Sequence, residues 1–364
     1  MQAPRLLIPS HRRAAAAAVR RFSCSVTPRE VLQRLGMAAA LRLVGPARLL
    51  GGLEVLDSGI GNSSVGSGGG DITDHLAEVL GQPVVVSLGI GTRRANRKAV
   101  LQVFDATGRP IAHAKVGDTP VAAGHVRGEA ENLRLLEGTR WDRVRIPRLL
   151  HHGTWSGSEV LVLSSLPASP WQFGPRRRIP MGAVEEVARS ASGTTAALVE
   201  LPSWSRWSDS VSALRDVETR DRLRAAMDRV ADLVGDEPVR CGAWHGDFTP
   251  WNMGWSGATL SLWDWERYET GVPVGLDVVH HAVNVRVAEI GFTDVAVRAG
   301  LDDARGLLAG DPTAPTLLPA YLVAIAVRYL AAAELEGGEV IRNSGLVALG
   351  ELERHGPSDG WRAA

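Results

Sequence analysis

Cysteine is nearly absent. Cys24 and Cys241 are the only two in 364 residues, they lie far apart, and neither belongs to a CxxC or Cys/His cluster. That spacing excludes a disulfide framework and a structural zinc site, and it fits a reducing, cytoplasmic setting. Net charge is absent too: forty basic and forty acidic residues cancel, which removes the basic signature of a general nucleic-acid binder or a polybasic membrane anchor. No run of about eighteen uninterrupted apolar residues marks a membrane span. There is no internal repeat, no heptad pattern, no Walker A loop and no full dinucleotide fingerprint. Lysine is the scarcest charged residue, since thirty-eight of the forty basic residues are arginine and only Lys98 and Lys115 are lysine. In a chain that writes arginine almost everywhere, a retained lysine marks a position where a compact ammonium is needed and a planar guanidinium is not.

What remains is enough chain for two globular domains. Residues 1–22 carry Arg5, Arg12, Arg13, Arg20 and Arg21 around an alanine run and read as a basic disordered tail. Residues 23–80 read as a helical extension followed by the glycine- and serine-rich linker Asp57–Asp71. From residue 81 to 166 three β-rich runs, at 84–91, 99–105 and 110–116, form an antiparallel meander. A helix with the spacing of VAAGHVRGEAENLRLLEG and a further apolar strand at 159–167 follow. Residues 167–364 are mainly helical, interrupted by the segment Trp244–Glu266, WHGDFTPWNMGWSGATLSLWDWE. Counting charges in residues 251–364 gives fifteen Asp plus Glu against eight Arg, a face that suits a cationic small molecule or simply solvent.

That segment concentrates the chemistry. Ser256-Gly257-Ala258 is a turn signal, so the flanking runs form a hairpin, and its register predicts Asn252 and Asp264 as cross-strand neighbours with Cβ atoms roughly 5 Å apart. Oxygen donors at that separation suit a hard cation such as Mg²⁺. Asp247 lies five residues before Asn252, where a second carboxylate can face the same cavity. A solvated loop with incidental acids is the competing reading, weakened by the tryptophans and apolar strand residues around them. His245 reads as a structural histidine bonding backbone. Lys115, on the third strand, is placed to act as a point charge on phosphate. On the next helix Val126, Glu129, Leu133 and Leu136 share one stripe, so Glu129 is its expected partner. Lys98, in the run RRANRK, is expected at solvent, and Gly89 and Gly91 give only a weak phosphate-loop signal.

The string HGDFTPWN followed by LSLWDWE, after this order of strands and helices, resembles the aminoglycoside phosphotransferase family within the choline kinase and protein kinase-like superfamily. The resemblance spans roughly residues 81–340. It implies an α+β, bilobal protein kinase-like fold, with a small antiparallel-sheet N-lobe (81–166) and a larger, mainly helical C-lobe (167–364). It implies an ATP- (or GTP-) and Mg²⁺-dependent phosphotransferase acting on a small-molecule hydroxyl, with no nucleic-acid or membrane partner. Asp247 would be the catalytic base or hydroxyl-orienting carboxylate, and Asn252 and Asp264 the metal ligands. Lys115 would contact the nucleotide phosphates with Glu129 holding it, and Ser164, Ser165 and Leu166 would form the hinge for adenine. Asp277 resembles the family's structural aspartate behind the catalytic loop. A nucleotide-binding protein without turnover, or a kinase of a sugar, amino alcohol or natural-product intermediate, are the alternatives. The arginine-rich first loop and the extension before residue 81 depart from the family pattern.

Overall fold

The computed structural model describes residues 6–21, 28–50, 71–89, 98–167, 179–191 and 193–354. The chain divides into two compact units: residues 1–137, 145–174 and 254–266 form the first, and residues 138–144, 175–253 and 267–364 the second. Most of the expected glycine-serine linker, and Gly91 of the first loop, lie outside the described residues.

The first unit is built on an antiparallel sheet. Its elements are β1 (Leu6–Leu7), α1 (Arg12–Arg21), α2 (Pro28–Val44), α3 (Pro46–Leu50), α4 (Ile72–Leu80), β2 (Val84–Gly89), β3 (Ala99–Asp105), β4 (Pro110–Gly117) and α5 (Pro120–Leu135). After the two-residue β5 (Val144–Arg145) come β6 (Leu149–Trp155) and β7 (Ser158–Ser164). The strand order is β1-β2-β3-β4-β7-β6. The expected meander is its centre, and the turn between β3 and β4 closes on Asp105, whose Oδ1 accepts from the amides of Thr107 and Arg109, both at 2.9 Å. Leu101, Val103, Ala112, Ala114, Val116, Val160 and Val162 pack with Ile72 and Leu76 of α4, so alternate strand positions supply one continuous apolar face. Thr119 caps α5 by accepting from the Ala122 amide, with Pro120 at the first helical position. Gly117, between β4 and α5, is required by close approach, because a Cβ there would lie 2.7 Å from the Ala122 carbonyl carbon.

The basic start of the chain differs from the disordered tail expected of it. Residues 6–21 add an edge strand and a helix to the first unit: Leu6 and Leu7 pair with Gly89 and Leu88. The alanines of α1 form a narrow buried stripe, with Ala14 and Ala18 against Phe104 and Ala15 and Ala16 against Ala38 and Leu41 of α2. Small side chains allow close helix packing, a use of the alanine run that composition does not reveal. β6 was not expected either, because the sequence LLHHGTW lacks a clean apolar alternation.

The second unit contains α6 (Met181–Ala188), β8 (Thr195–Ala197), α7 (Pro202–Ser212), α8 (Val217–Val234) and β9 (Pro238–Trp244). The hairpin strands β10 (Met253–Ser256) and β11 (Thr259–Leu262) come next, then β12 (Glu269–Pro273), α9 (Leu276–Ile290), α10 (Asp294–Leu307), α11 (Ala314–Ala333) and α12 (Glu339–Arg354). β9 is the centre of a β12-β9-β8 sheet. α11 is long and apolar enough to cross a membrane by length and composition, but 78% of its apolar window is buried inside the protein, where it is the core helix of this unit. The hairpin forms around Gly257 as expected. Its strands from Gly254 onward, with Asp264 and Glu266, group with the first unit, not with the helical part expected to carry them.

The docking of α1 is testable. Ala18 is fully buried, so Ala18→Asp should place an unpaired charge against Phe104 and cost roughly 2 kcal/mol or more. A lower thermal midpoint and early proteolytic release of residues 6–21 are expected; an unchanged midpoint and cleavage pattern would show that α1 contributes no packing.

Candidate active site

In the first unit the residues singled out in the sequence converge. Lys115 on β4 donates to Glu129 Oε2 at 2.5 Å and to Asp264 Oδ1 at 2.7 Å. Glu129 is fully buried on the inner stripe of α5. Its second carboxylate oxygen accepts from the Trp265 amide at 3.3 Å, while Asn132 Nδ2 donates to the Trp265 carbonyl at 2.8 Å. One helix therefore holds both the lysine and the backbone that follows Asp264. Asp264 itself has φ of 71°, a left-handed conformation that a non-glycine residue adopts at a cost and that concentrates at functional sites.

The charges are strongly interdependent. Burial by itself would lower the Lys115 ammonium, but the Asp264 and Glu129 carboxylates outweigh it and raise it well above the usual lysine range. Asp264 is opposed by burial, yet Lys115 and Lys98 hold its carboxyl far below the usual range. Burial pushes Glu129 upward, with Lys115 opposing. Lys115 and Asp264 are thus a charged pair. Carboxylate oxygens of Glu129, Asp264 and Glu266 lie within 4.8 Å of one another, close enough to share a cation. Glu266 was missed in the sequence, although its place two residues after Asp264 was the available signal.

Lys98 differs from the solvent-exposed position expected of it. Its side chain is only 9% exposed; it is paired with Glu266 and lies 3.3 Å from Asp264 Oδ1. Two acidic residues downstream in the hairpin draw it inward, a long-range attraction that its arginine-rich local run conceals.

The expected hinge is also in this unit. The Ser164 and Ser165 amides donate to the carbonyls of Arg148 and Ile111 at 2.9 and 3.1 Å. Arg21, at the end of α1, donates to Ser165 Oγ at 3.2 Å and to the Leu166 carbonyl oxygen.

In the second unit Asp247 is held from two sides. Asn252 Nδ2 donates to Asp247 Oδ2 at 2.7 Å and to its backbone carbonyl at 3.0 Å. His280 Nε2 lies 3.3 Å from Asp247 Oδ1, and the Tyr321 hydroxyl lies 3.3 Å from His280 Nδ1. Burial lowers the His280 ring below the usual histidine range, opposed by Asp247. The ring thus lies between the Asp247 carboxylate, the Tyr321 hydroxyl and the Asn284 amide nitrogen, the last 3.2 Å from Nε2. Neither His280 nor Tyr321 was singled out in the sequence; only the three-dimensional packing of α9 against α11 brings them behind Asp247.

The backbone before Asp247 rests on Asp277 at the start of α9. Its carboxylate accepts from the His245 amide at 2.7 Å and the Gly246 amide at 3.2 Å, consistent with the structural part foreseen for it. Gly246 has φ of 75°, and a Cβ there would meet the Arg267 carbonyl oxygen at 2.2 Å, so only glycine fits. Arg328 donates to the Gly246 carbonyl at 2.5 Å and lies 4.7 Å over the Trp244 ring. His245 is fully buried and accepts the Asp247 amide on Nδ1 at 3.2 Å, the backbone-bonding place expected for it. Asn252 and Asp264 flank the hairpin from different units; each is anchored in its own unit.

No protein-family model matches the sequence, and no curated protein does. Solved structures do resemble the chain. A thermostable variant of aminoglycoside phosphotransferase APH(4)-Ia, in a ternary complex with ADP and hygromycin B, is 12% identical, with 79% of this chain and 99% of that one covered at a TM-score of 0.52. Aminoglycoside phosphotransferase APH(4)-Ia itself is 12% identical, with 76% and 97% covered at 0.51. The thermostable variant's apo form is 13% identical, with 77% and 98% covered at 0.50. At such identities the likeness is one of fold: the chain has the α+β, protein kinase-like fold of the aminoglycoside phosphotransferases.

Burial raises the Asp277 carboxyl to about 7, against the opposing bonds from His245 and Gly246. A carboxyl higher in the folded than in the unfolded chain contributes stability that is full below the unfolded value of about 4 and is lost as pH rises to about 7. Relative to Asp277→Asn, the wild type should therefore lose on the order of 3 kcal/mol between pH 4 and 7.5, read from urea midpoints at several pH values. A difference independent of pH would mean that Asp277 is ionised throughout.

Proposed function

We propose that this chain is an ATP- and Mg²⁺-dependent phosphotransferase that phosphorylates a hydroxyl group of a small molecule. The observation that carries the reading is the buried Lys115, paired with Glu129 and Asp264 in a fold shared with known phosphotransferases. A buried ammonium held by carboxylates on two sides is pre-positioned to donate to phosphate oxygens, and phosphoryl transfer depends chiefly on such positioning and charge neutralisation.

In this reading Glu129 holds Lys115, and Lys115 binds nucleotide phosphate. Asp247 orients the acceptor hydroxyl and takes its proton. The bonds from Asn252 and His280 fix the Asp247 carboxylate, and a carboxylate can take a proton from a hydroxyl brought within hydrogen-bond reach. Asn252 and Asp264 are assigned to the metal. The donor chemistry fits, because Asn252 commits its amide nitrogen to Asp247 and so has its amide oxygen to offer, and an amide oxygen and the Asp264 carboxylate are both hard donors suited to Mg²⁺. When bound, the ion supplies charge neutralisation for the phosphates. Ser164, Ser165 and Leu166 are assigned to adenine. With the amides of Ser164 and Ser165 engaged within the unit, the Leu166 carbonyl is the acceptor this reading gives to the adenine amino group. The acceptor is left at the class of a small-molecule hydroxyl, with aminoglycosides, sugars and amino alcohols as the compounds to screen.

A screen of such acceptors with ATP and GTP, read by coupled release of the nucleoside diphosphate, tests the activity. For the acceptor it identifies, Asp247→Ala should lower kcat by on the order of 100-fold or more with an unchanged thermal midpoint. Full turnover in that variant would remove Asp247 from the chemistry, and nucleotide binding with no turnover on any acceptor would favour a binding protein. Arg21 supplies a second check. Because it holds the Leu166 carbonyl, Arg21→Ala should tighten ATP binding by roughly 1 kcal/mol, about fivefold, measured by calorimetry; weaker binding would mean that Arg21 supports the nucleotide directly.

A further inference from the structure

Both lysines of this arginine-rich chain meet at one oxygen. Lys115 Nζ lies 2.7 Å and Lys98 Nζ 3.3 Å from Asp264 Oδ1. Each also has a carboxylate of its own, Glu129 for Lys115 and Glu266 for Lys98. The sheet explains the convergence. Val100 is the partner of Lys115 across the β3–β4 ladder, and Lys98 is two residues before Val100, so the strand pleat puts Lys98 and Lys115 on the same face. Continuing the register, the residue opposite Lys98 is Gly117, which has no side chain to stand between that position and the site. Either lysine sheds most of its exposure there: the side chains are 9% and 10% exposed.

Such an arrangement is expensive unless it serves a purpose. A surface ion pair would leave Lys98 in water, where arginine serves as well, and arginine is what this chain carries at thirty-eight of its forty basic positions. Asp264 cannot serve two ammonium groups and a divalent cation with the same oxygen. If it takes up the cation, each lysine keeps its own carboxylate and turns its remaining N–H donors toward whatever anion arrives with the metal. Resting on the kinase reading above, we infer that Lys98 is a second phosphate-binding residue, held by Glu266 as Lys115 is held by Glu129, and that the two lysines grip the nucleotide polyphosphate together. The paired design substitutes two compact ammonium ions for the glycine-rich loop that the sequence around residues 87–98 only loosely provides. A guanidinium at either place would be too broad to share the Asp264 oxygen with its neighbour.

The test uses the full chain with Mg²⁺ and measures dissociation constants for ATP, ADP and adenosine by calorimetry, in the wild type, Lys98→Met and Lys115→Met. Methionine keeps the aliphatic length and removes the charge. Lys98→Met should weaken ATP and ADP by roughly tenfold or more while leaving adenosine within about twofold, and Lys98→Arg should restore only part of the loss. If Lys115→Met weakens ATP but Lys98→Met does not, the kinase reading stands and the inference about Lys98 falls. If Lys98→Met weakens adenosine as much as ATP, Lys98 is a structural partner of Glu266 and the inference is overturned. If the wild type binds no nucleotide, or neither variant changes ATP binding, both fail together.

Discussion

The carboxylate of Asp264 and the two ammonium groups that share it are the constraint around which the first unit is organised. A lysine on β4 can be buried only because α5 brings Glu129 beneath it and the hairpin returns Asp264 beside it. Removing any one member would leave a charge in low dielectric without its counterpart, which is far costlier than never having buried the group. The same interaction ties together elements distant in sequence: β4, α5 and the end of the hairpin, with the Trp265 backbone bonded to both Glu129 and Asn132. Local backbone strain at Asp264, in its left-handed conformation, is held in place by this network.

The second unit solves a related problem with the opposite economy of charge. Here a buried carboxylate, Asp277, is satisfied by two backbone amides and not by a side-chain cation. Those amides belong to His245 and Gly246, so the bond sets the direction of the chain immediately before Asp247. Asn252 and His280 then fix the Asp247 side chain, and Tyr321 of the core helix α11 backs His280. Asp247 is thus anchored, through two layers of hydrogen bonds, to the core helix of the unit. Partial exposure of Asp247, 32% at the side chain, is compatible with access by a partner molecule.

Much of this was legible in the chain of letters. The β3 and β4 strands, the hairpin around Gly257, the buried stripe of α5 and the pairing of Lys115 with Glu129 all follow from periodicity, turn chemistry and the cost of burying charge. Lys115 stands out through the scarcity of lysine together with its place on a strand. What was misjudged has a common cause. The composition of residues 1–22 suggests a basic tail, yet the small side chains of its alanine run are what close packing of α1 on α2 and Phe104 requires. Lys98 was placed in solvent because its neighbours are arginines, whereas its partners are more than 160 residues away. Glu266 and His280 were passed over for the same reason, since each acquires meaning only from residues remote in sequence.

The sequence by itself determined the residue types available for chemistry, the local elements that carry them and the pairs that lie within one hairpin or on one strand and the next helix. These depend on short-range sterics and on spacing, which a linear reading can count. Only the tertiary structure decided that two lysines share one carboxylate, that Glu266 joins the acidic cluster, that Tyr321 and His280 support Asp247, and that Arg21 reaches the carbonyl of Leu166. Each of these is an electrostatic or hydrogen-bonding contact between distant segments. Its strength comes from burial and low dielectric, which exist only once the chain has folded.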